Sequence, residues 1–199
     1  MSRGPADLSR RCRACLFPPA ECLCPAIRRV VTRTSFLLLR HASEQNRPTN
    51  SGRWAALALS RSQLVDYAAP GCAPDLSGLD EAGTVVLFPS PHRTVLDEMP
   101  SQVVVLDATW QQARRMLQKI PQLRTMPRLS LTVRPGTARY GAMRRPTVKG
   151  GLSTLEAVAG ALELLGEPGP AREIAALHDA AMARAWRLRA GGLFGRAAA

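Results

Sequence analysis

Apolar residues along the chain fall into short runs separated by polar, turn-forming stretches. Residues 34–39 (TSFLLL), 84–88 (TVVLF), 103–106 (VVVL) and 128–133 (RLSLTV) are such runs. Each is short, rich in β-branched or leucine residues, and bounded by polar residues or proline, which predicts buried strands. Between and after them the pattern turns helical, over 53–59, 110–117, 157–165 and 171–189. In the last of these, Leu177, Met182 and Trp186 fall where they can face a core. Gly166, Pro168 and Gly169 end the helix before it. Strands alternating with helices predict an α/β domain with four to five strands in a largely parallel sheet. The pattern does not order the strands. Residues 67–82 read as a loop rich in Gly, Pro and Ala, and residues 1–11 as a polar, basic lead-in.

The strand ends carry the chemistry. The run 103–106 stops at Asp107, Thr109 can cap, and a helix starts at Trp110. In an open α/β sheet, ligands bind at the carboxyl ends of strands. Asp-x-Thr-Trp there reads equally as a ligand site and as a helix cap with an indole packed beneath it. A second corner has the same design. The strand 34–39 ends at Arg40 and His41, a polar loop follows, and Asn50 or Ser51 can cap the next helix. Such a helix start offers free N–H groups to an anion. A third strand runs into the rigid turn Pro89-Ser90-Pro91-His92. His41 and His92 each read as a hydrogen-bonded structural group or as a base. Ser153 and Glu156 have capping-box spacing ahead of the helix 157–165.

Charge alters this picture. The 199-residue chain has a formal net charge of +12, and only Lys119 and Lys149 are lysines among 27 basic residues, leaving 25 arginines. Codon bias accounts for arginine over lysine but not for the excess over 15 acidic residues. A basic, arginine-rich surface points to a polyanion, and to nucleic acid first. The loop 134–146 interleaves Arg134, Arg139, Arg144 and Arg145 with Tyr140, a composition that contacts a phosphate backbone and stacks a base. The basic end of the last helix, 184–189, suits a helix C-terminus or a phosphate. With 46% hydrophobic residues the chain has material for a core.

No apolar run approaches the ~20 residues of a membrane span, and the first residues lack an apolar signal core. A cytoplasmic protein with reduced thiols is therefore expected. Four of the five cysteines, Cys12, Cys15, Cys22 and Cys24, form C-x2-C-x6-C-x-C. Clustered thiols in a reducing compartment favour a metal over disulfides, and four thiolates suit a closed, structural zinc site. The alternatives are unligated thiols or a redox pair. Cys72 stands alone and reads as an ordinary cysteine.

Several segments in fixed order resemble one family. These are the CxxC…CxC cluster, RPTNSGR after a histidine-ended strand, LDATWQQARRM, the arginine-rich loop around Tyr140, and LSTLEAVA. Together they resemble the DTW-domain family of tRNA-uridine aminocarboxypropyltransferases over roughly residues 12–166. The Asp-x-Thr-Trp motif is intact at Asp107, Thr109 and Trp110. The resemblance implies a SPOUT-like, mostly parallel α/β sheet with a C-terminal trefoil knot. It implies a zinc-binding segment at 1–27 and a catalytic domain at 28–199. It also implies transfer of the 3-amino-3-carboxypropyl group of S-adenosylmethionine to N3 of a tRNA uridine, at the variable-loop position. The cofactor would lie among Phe88, Pro89, Ser90, Leu106, Asp107, Ala108, Thr109, Trp110, Leu129, Ser153, Thr154 and Glu156. Asp107, Thr109 and Trp110 would be catalytic, and Arg47, Asn50, Arg53, Arg139, Tyr140, Arg144 and Arg145 would meet RNA. Arg47 and Asn50 suit the cofactor's carboxylate equally. Monomer and homodimer both fit.

The chemistry asks for such residues. N3 of uridine is a poor nucleophile until it loses its proton, and Asp107 is the carboxylate available as the base or as the group that orients one. A base role needs its pKa raised by an apolar setting. Trp110 offers an aromatic face to adenine, uracil or the sulfonium. Two rival readings are a SPOUT-like RNA methyltransferase and a non-catalytic zinc-containing RNA-binding protein.

Overall fold

The computed structural model describes residues 8–71, 73–90, 98–131 and 151–190. Five strands form one sheet: β1 (Ser35–His41), β2 (Ser62–Tyr67), β3 (Thr84–Leu87), β4 (Gln102–Asp107) and β5 (Arg128–Leu129). Their order is β2-β1-β4-β3-β5, and every pairing is parallel. All strand carboxyl ends therefore share one edge. Register sets Arg40 of β1 beside Asp107 of β4.

Alternate residues along each strand face opposite layers. Phe36, Leu38, Val85, Val103 and Val105 join one core cluster with Trp54, Leu155, Val158, Ile174 and Leu177. Those partners come from α1 (Ser51–Ala58), α4 (Thr154–Leu164) and α5 (Pro168–Ala190). Leu37, Leu39, Val86 and Val104 face the other way, against Met116 and Leu117 of α2 (Trp110–Lys119) and Leu123 of α3 (Pro121–Thr125). The unbroken apolar runs of the sequence are thus strands covered on both sides. Cys15, Phe17 and Leu23 of the cysteine segment join the first cluster.

The structure corrects the sequence reading at four places. β2 carries no apolar run, because only Val65 of SQLVDY is buried in this sheet-edge strand. Of the strand expected at 128–133, Arg128–Leu129 pair, Ser130 and Leu131 do not, and 132–133 lie outside the described residues. Pro168 does not merely end α4: Gly166, at φ +69°, turns the chain and Pro168 opens α5, where a missing N–H costs nothing. Trp186 lies half exposed, while Leu177 and Met182 are buried as expected. Among the described residues, no helix is long and apolar enough to cross a membrane.

Candidate active site

The sheet's carboxyl edge gathers its polar groups around Asp107, which is only 4% exposed. Oδ2 accepts from Asn50 Nδ2 at 2.6 Å, and Oδ1 accepts from Thr154 Oγ1 at 2.6 Å. Asn50 faces both ways, since its own Oδ1 caps α1 by accepting from Arg53 N at 2.8 Å. Thr154 N, in turn, donates to Ser51 Oγ at 3.0 Å. One carboxylate therefore fastens the end of β4 to the starts of α1 and α4. Gly52 makes the approach possible: a Cβ there would lie 2.7 Å from Oδ1, and closer still to Cγ and Oδ2. Burial pushes the Asp107 pKa up, and the bonds from Thr154 and Asn50 pull against that without cancelling it.

Thr109 and Gln112 form a capping box for α2. The Thr109 hydroxyl donates to Gln112 Oε1 at 2.7 Å, and Gln112 Nε2 reaches on to Ser43 Oγ at 2.9 Å, 3.3 Å from His41 Nδ1. Ser153 and Glu156 form the corresponding box for α4. Trp110 stacks on Phe88, with centroids 5.1 Å apart and planes 7° from parallel. Arg128 lies over the Phe88 ring. Phe88 N donates to Leu129 O at 3.0 Å, and Ser90 N to Ser130 Oγ at 3.1 Å, so the ends of β3 and β5 stay together.

The expected residues divide by what their side chains do. Asp107, Asn50 and Thr154 meet directly; Phe88 and Trp110 meet beside them; Leu106, Ala108, Pro89 and Ser90 flank these contacts along the same edge. Thr109, Ser153 and Glu156 are engaged in caps, and Leu129 is a fully buried core residue. Asn50 is buried, not displayed to a polyanion. Arg53 is half-buried and braces two loops, donating to Gln45 O at 2.8 Å and Ala14 O at 3.5 Å. Arg47 is the more exposed cation, donating to Ser43 O and pairing with the buried Glu44 at 3.0 Å. Arg139, Tyr140, Arg144 and Arg145 lie outside the described residues, as do Pro91, His92 and Cys72.

Sequence reasoning passed over three residues here. Gly52 opens a helix, where glycine weakens it; that oddity is the signal of a close approach. Arg40 is buried, forks onto Asp66 through Nε (2.6 Å) and Nη2 (2.9 Å), and has no partner for Nη1 among the described residues. His178 is buried with Nε2 3.9 Å from Glu156 Oε2, behind the start of α4. Neither of the last two has a local sequence signal.

Beside α1, where Arg53 and Trp54 meet the cysteine segment, the four cysteine sulfurs lie within 4.8 Å of one another. Cys12 and Cys24 are 3.6 Å apart, and Cys15 and Cys22 3.8 Å. A tetrahedron with Zn–S bonds of about 2.3 Å has edges of about 3.8 Å, so these two pairs match a zinc tetrahedron and the whole set lies close to one. Leu23 N points at Cys15 Sγ at 3.4 Å. The N–H of Cys15 lowers the Cys12 thiol to about 7, while burial pushes the Cys22 and Cys24 thiols up. Trp54 Nε1 donates to Cys15 O at 3.0 Å, and Phe17 stacks on Trp54, so this segment is pinned to α1.

A family model describing the DTW domain matches residues 9–185. The chain is 29% identical over 178 residues to the Drosophila melanogaster protein named tRNA-uridine aminocarboxypropyltransferase 2, covering 83% of this chain and 70% of that one. The Macaca fascicularis and Mus musculus proteins of the same name are 26% and 25% identical over 81% and 80% of this chain. The alignments span 58% of each of those two mammalian proteins. No solved structure matches the chain. The matched region takes in the cysteine cluster, the Asp107 corner and the helix start at Thr154, and the chain belongs to the DTW-domain family.

Proposed function

We propose that this protein is a tRNA-modifying transferase that moves the 3-amino-3-carboxypropyl group of S-adenosylmethionine to N3 of a uridine, at the variable-loop position. The observation that carries this reading is the likeness to proteins named as tRNA-uridine aminocarboxypropyltransferases over 80–83% of the chain, with Asp107, Thr109 and Trp110 at the sheet's ligand-binding edge. The excess of arginine supports an RNA substrate.

S-adenosylmethionine supplies an electrophilic γ-carbon beside a sulfonium. The chain's residues have to hold it with that carbon toward the uridine. The backbone and side chains of Phe88, Pro89, Ser90, Leu106, Ala108, Trp110, Ser153 and Thr154 are our donor pocket, with Leu129, Thr109 and Glu156 as its supports. The spare, buried Nη1 of Arg40 beside this edge suits the donor's carboxylate. Asp107 has two possible roles, base and fastener. Its raised pKa suits a base, but each oxygen already accepts a 2.6 Å bond that ties a helix start to the end of β4. We therefore assign Asp107 the fastener's part, setting Thr154 and Asn50 around the pocket. Arg47 and the arginines around Tyr140 are our RNA contacts, while Asn50 caps α1 and Arg53 braces the loops at Ala14 and Gln45.

In this reading zinc is structural, held by Cys12, Cys15, Cys22 and Cys24 with no open position. Residues 1–27 form a metal-binding appendage to the catalytic domain 28–199. The fold in this reading is SPOUT-like with a C-terminal trefoil knot; the all-parallel sheet and the tie of the start of α4 to the end of β4 support it. A cytoplasmic site of action follows from the substrate. Nucleoside mass spectrometry on unmodified tRNA incubated with protein and S-adenosylmethionine tests the proposal. A uridine heavier by one aminocarboxypropyl group is expected. A methyl increment moves the protein to the methyltransferases, and absence of donor binding leaves only RNA binding.

A further inference from the structure

The two carboxy-terminal helices are joined by a turn at Gly166 and run antiparallel, with Leu165 and Pro168 at the closed end and Glu156 level with His178. Extending that register sets Thr154, the first residue of α4, near position 180. α5 continues to Ala190, so its last ten or so residues, about 15 Å at the helical rise, overhang the start of α4. That start is tied to Asp107, and the overhang therefore rises on the sheet edge that holds the candidate active site.

The overhang is braced from below by the cysteine segment. Arg187 forks onto Glu21 through Nε (2.9 Å) and Nη2 (2.7 Å), and Arg184 Nε donates to Cys22 O at 3.3 Å. Ala181, Met182, Ala185 and Leu188 share one core cluster with Cys15 and Leu23. The opposite face is open. It shows Trp186, 50% exposed, with the Arg189 guanidinium 5.9 Å from the centroid of its ring. Positions 181–190 hold three arginines and no acid. A large aromatic exposed near the end of a helix and backed by a cation on one face is poorly matched to solvent. It is well matched to a polyanion carrying flat rings.

We propose that the overhanging end of α5, braced by the cysteine segment, is a second RNA-contacting surface, on which Trp186 stacks an unpaired base and Arg189 meets the adjoining phosphate. This rests on tRNA being the substrate. It gives the structural metal a purpose beyond the core: holding this arm above the edge where the uridine reacts. The contact lies apart from the donor pocket, so it serves affinity for RNA and not the transfer step.

The test uses the full, zinc-loaded chain and unmodified tRNA, with Trp186→Ala, Trp186→Phe and Arg189→Ala. Trp186→Ala should weaken tRNA binding roughly tenfold, the scale of one lost base–aromatic stack, and raise KM for tRNA equally. Trp186→Phe should restore most of that loss. Arg189→Ala should weaken binding severalfold and flatten the salt dependence. Donor affinity and turnover at saturating tRNA should not move. Wild-type affinity in Trp186→Ala overturns the inference while leaving the substrate standing. So does conversion of a wild-type dimer to monomer by that change, which assigns the face to a second copy. A wild-type protein that does not bind tRNA overturns both.

Discussion

The Asp107 cluster and the cysteine cluster both attach to α1, and they solve the same problem in different ways. Each gathers groups that are costly to bury and uses them to join distant parts of the chain. Around Asp107 the chain supplies every partner: a carboxylate, an amide, a hydroxyl and a glycine that leaves room. Around Cys12, Cys15, Cys22 and Cys24 it supplies four like groups, a set that a metal ion could complete. The first cluster is closed by geometry, and its weakness is any atom added or removed. With a metal bound, the second would be closed by mass action, and its weakness would be the concentration of metal.

The largest expected effect tests that contrast directly. Removing the metal with a chelator, or changing Cys15→Ser, should release the segment that Trp54 and Phe17 hold, at a cost on the order of 5 kcal/mol. Metal analysis should give about one zinc per chain. A thermal midpoint indifferent to chelation breaks the comparison. Gly52→Ala comes next. It forces a Cβ into the Asp107 carboxylate, so we expect a loss of about 3 kcal/mol and of all activity, with zinc content unchanged. Thr154→Val removes one of two bonds to a buried charge and should cost about 2 kcal/mol. Thr109→Ala, which removes only a cap, should cost about 1 kcal/mol.

Asp107→Asn sharpens the reading of the first cluster. The Thr154 hydroxyl can reverse to accept from the new amide, so the variant should fold. As a fastener its turnover should fall less than ~10-fold; a ~10²–10⁴-fold fall with donor affinity intact makes Asp107 the base instead. The pH dependence has a definite sign. The folded pKa of Asp107 is raised by burial, so the folded state binds this proton more tightly than the unfolded state. The group's contribution is full below the unfolded value and is lost as pH rises through the folded one. Measured against Asp107→Asn, the wild type should therefore gain stability as pH falls from neutral. A difference that stays flat with pH means the carboxylate is not desolvated as described.

Much of this was legible in the sequence where a residue acts on its neighbours. The Ser153–Glu156 capping box, the cap at Thr109, the strand ending at Asp107 and the compact cysteine spacing are local patterns, and each is legible in the sequence; that Gln112 completes a second box is not. What escaped depends on partners far along the chain. β2 is held by its pairing with β1, not by its own apolar content. Asn50 looked available to an anion because its sequence shows a cap and not that Asp107, 57 residues on, already occupies its amide. Trp186 fits a helical core pattern, and only the end of α4 near position 154 leaves it uncovered.

The same distances set a timetable for synthesis. β1 and β2 can pair as soon as both have left the ribosome, but β3 emerges with no neighbour, because β4 must slot between it and β1. Asp107 then waits another 47 residues for Thr154. Until the final third of the chain is released, the carboxylate has one partner at most and the pocket has no α4. A nascent or truncated chain thus holds its N-terminal metal segment long before it has a working centre, and premature termination yields an inert product.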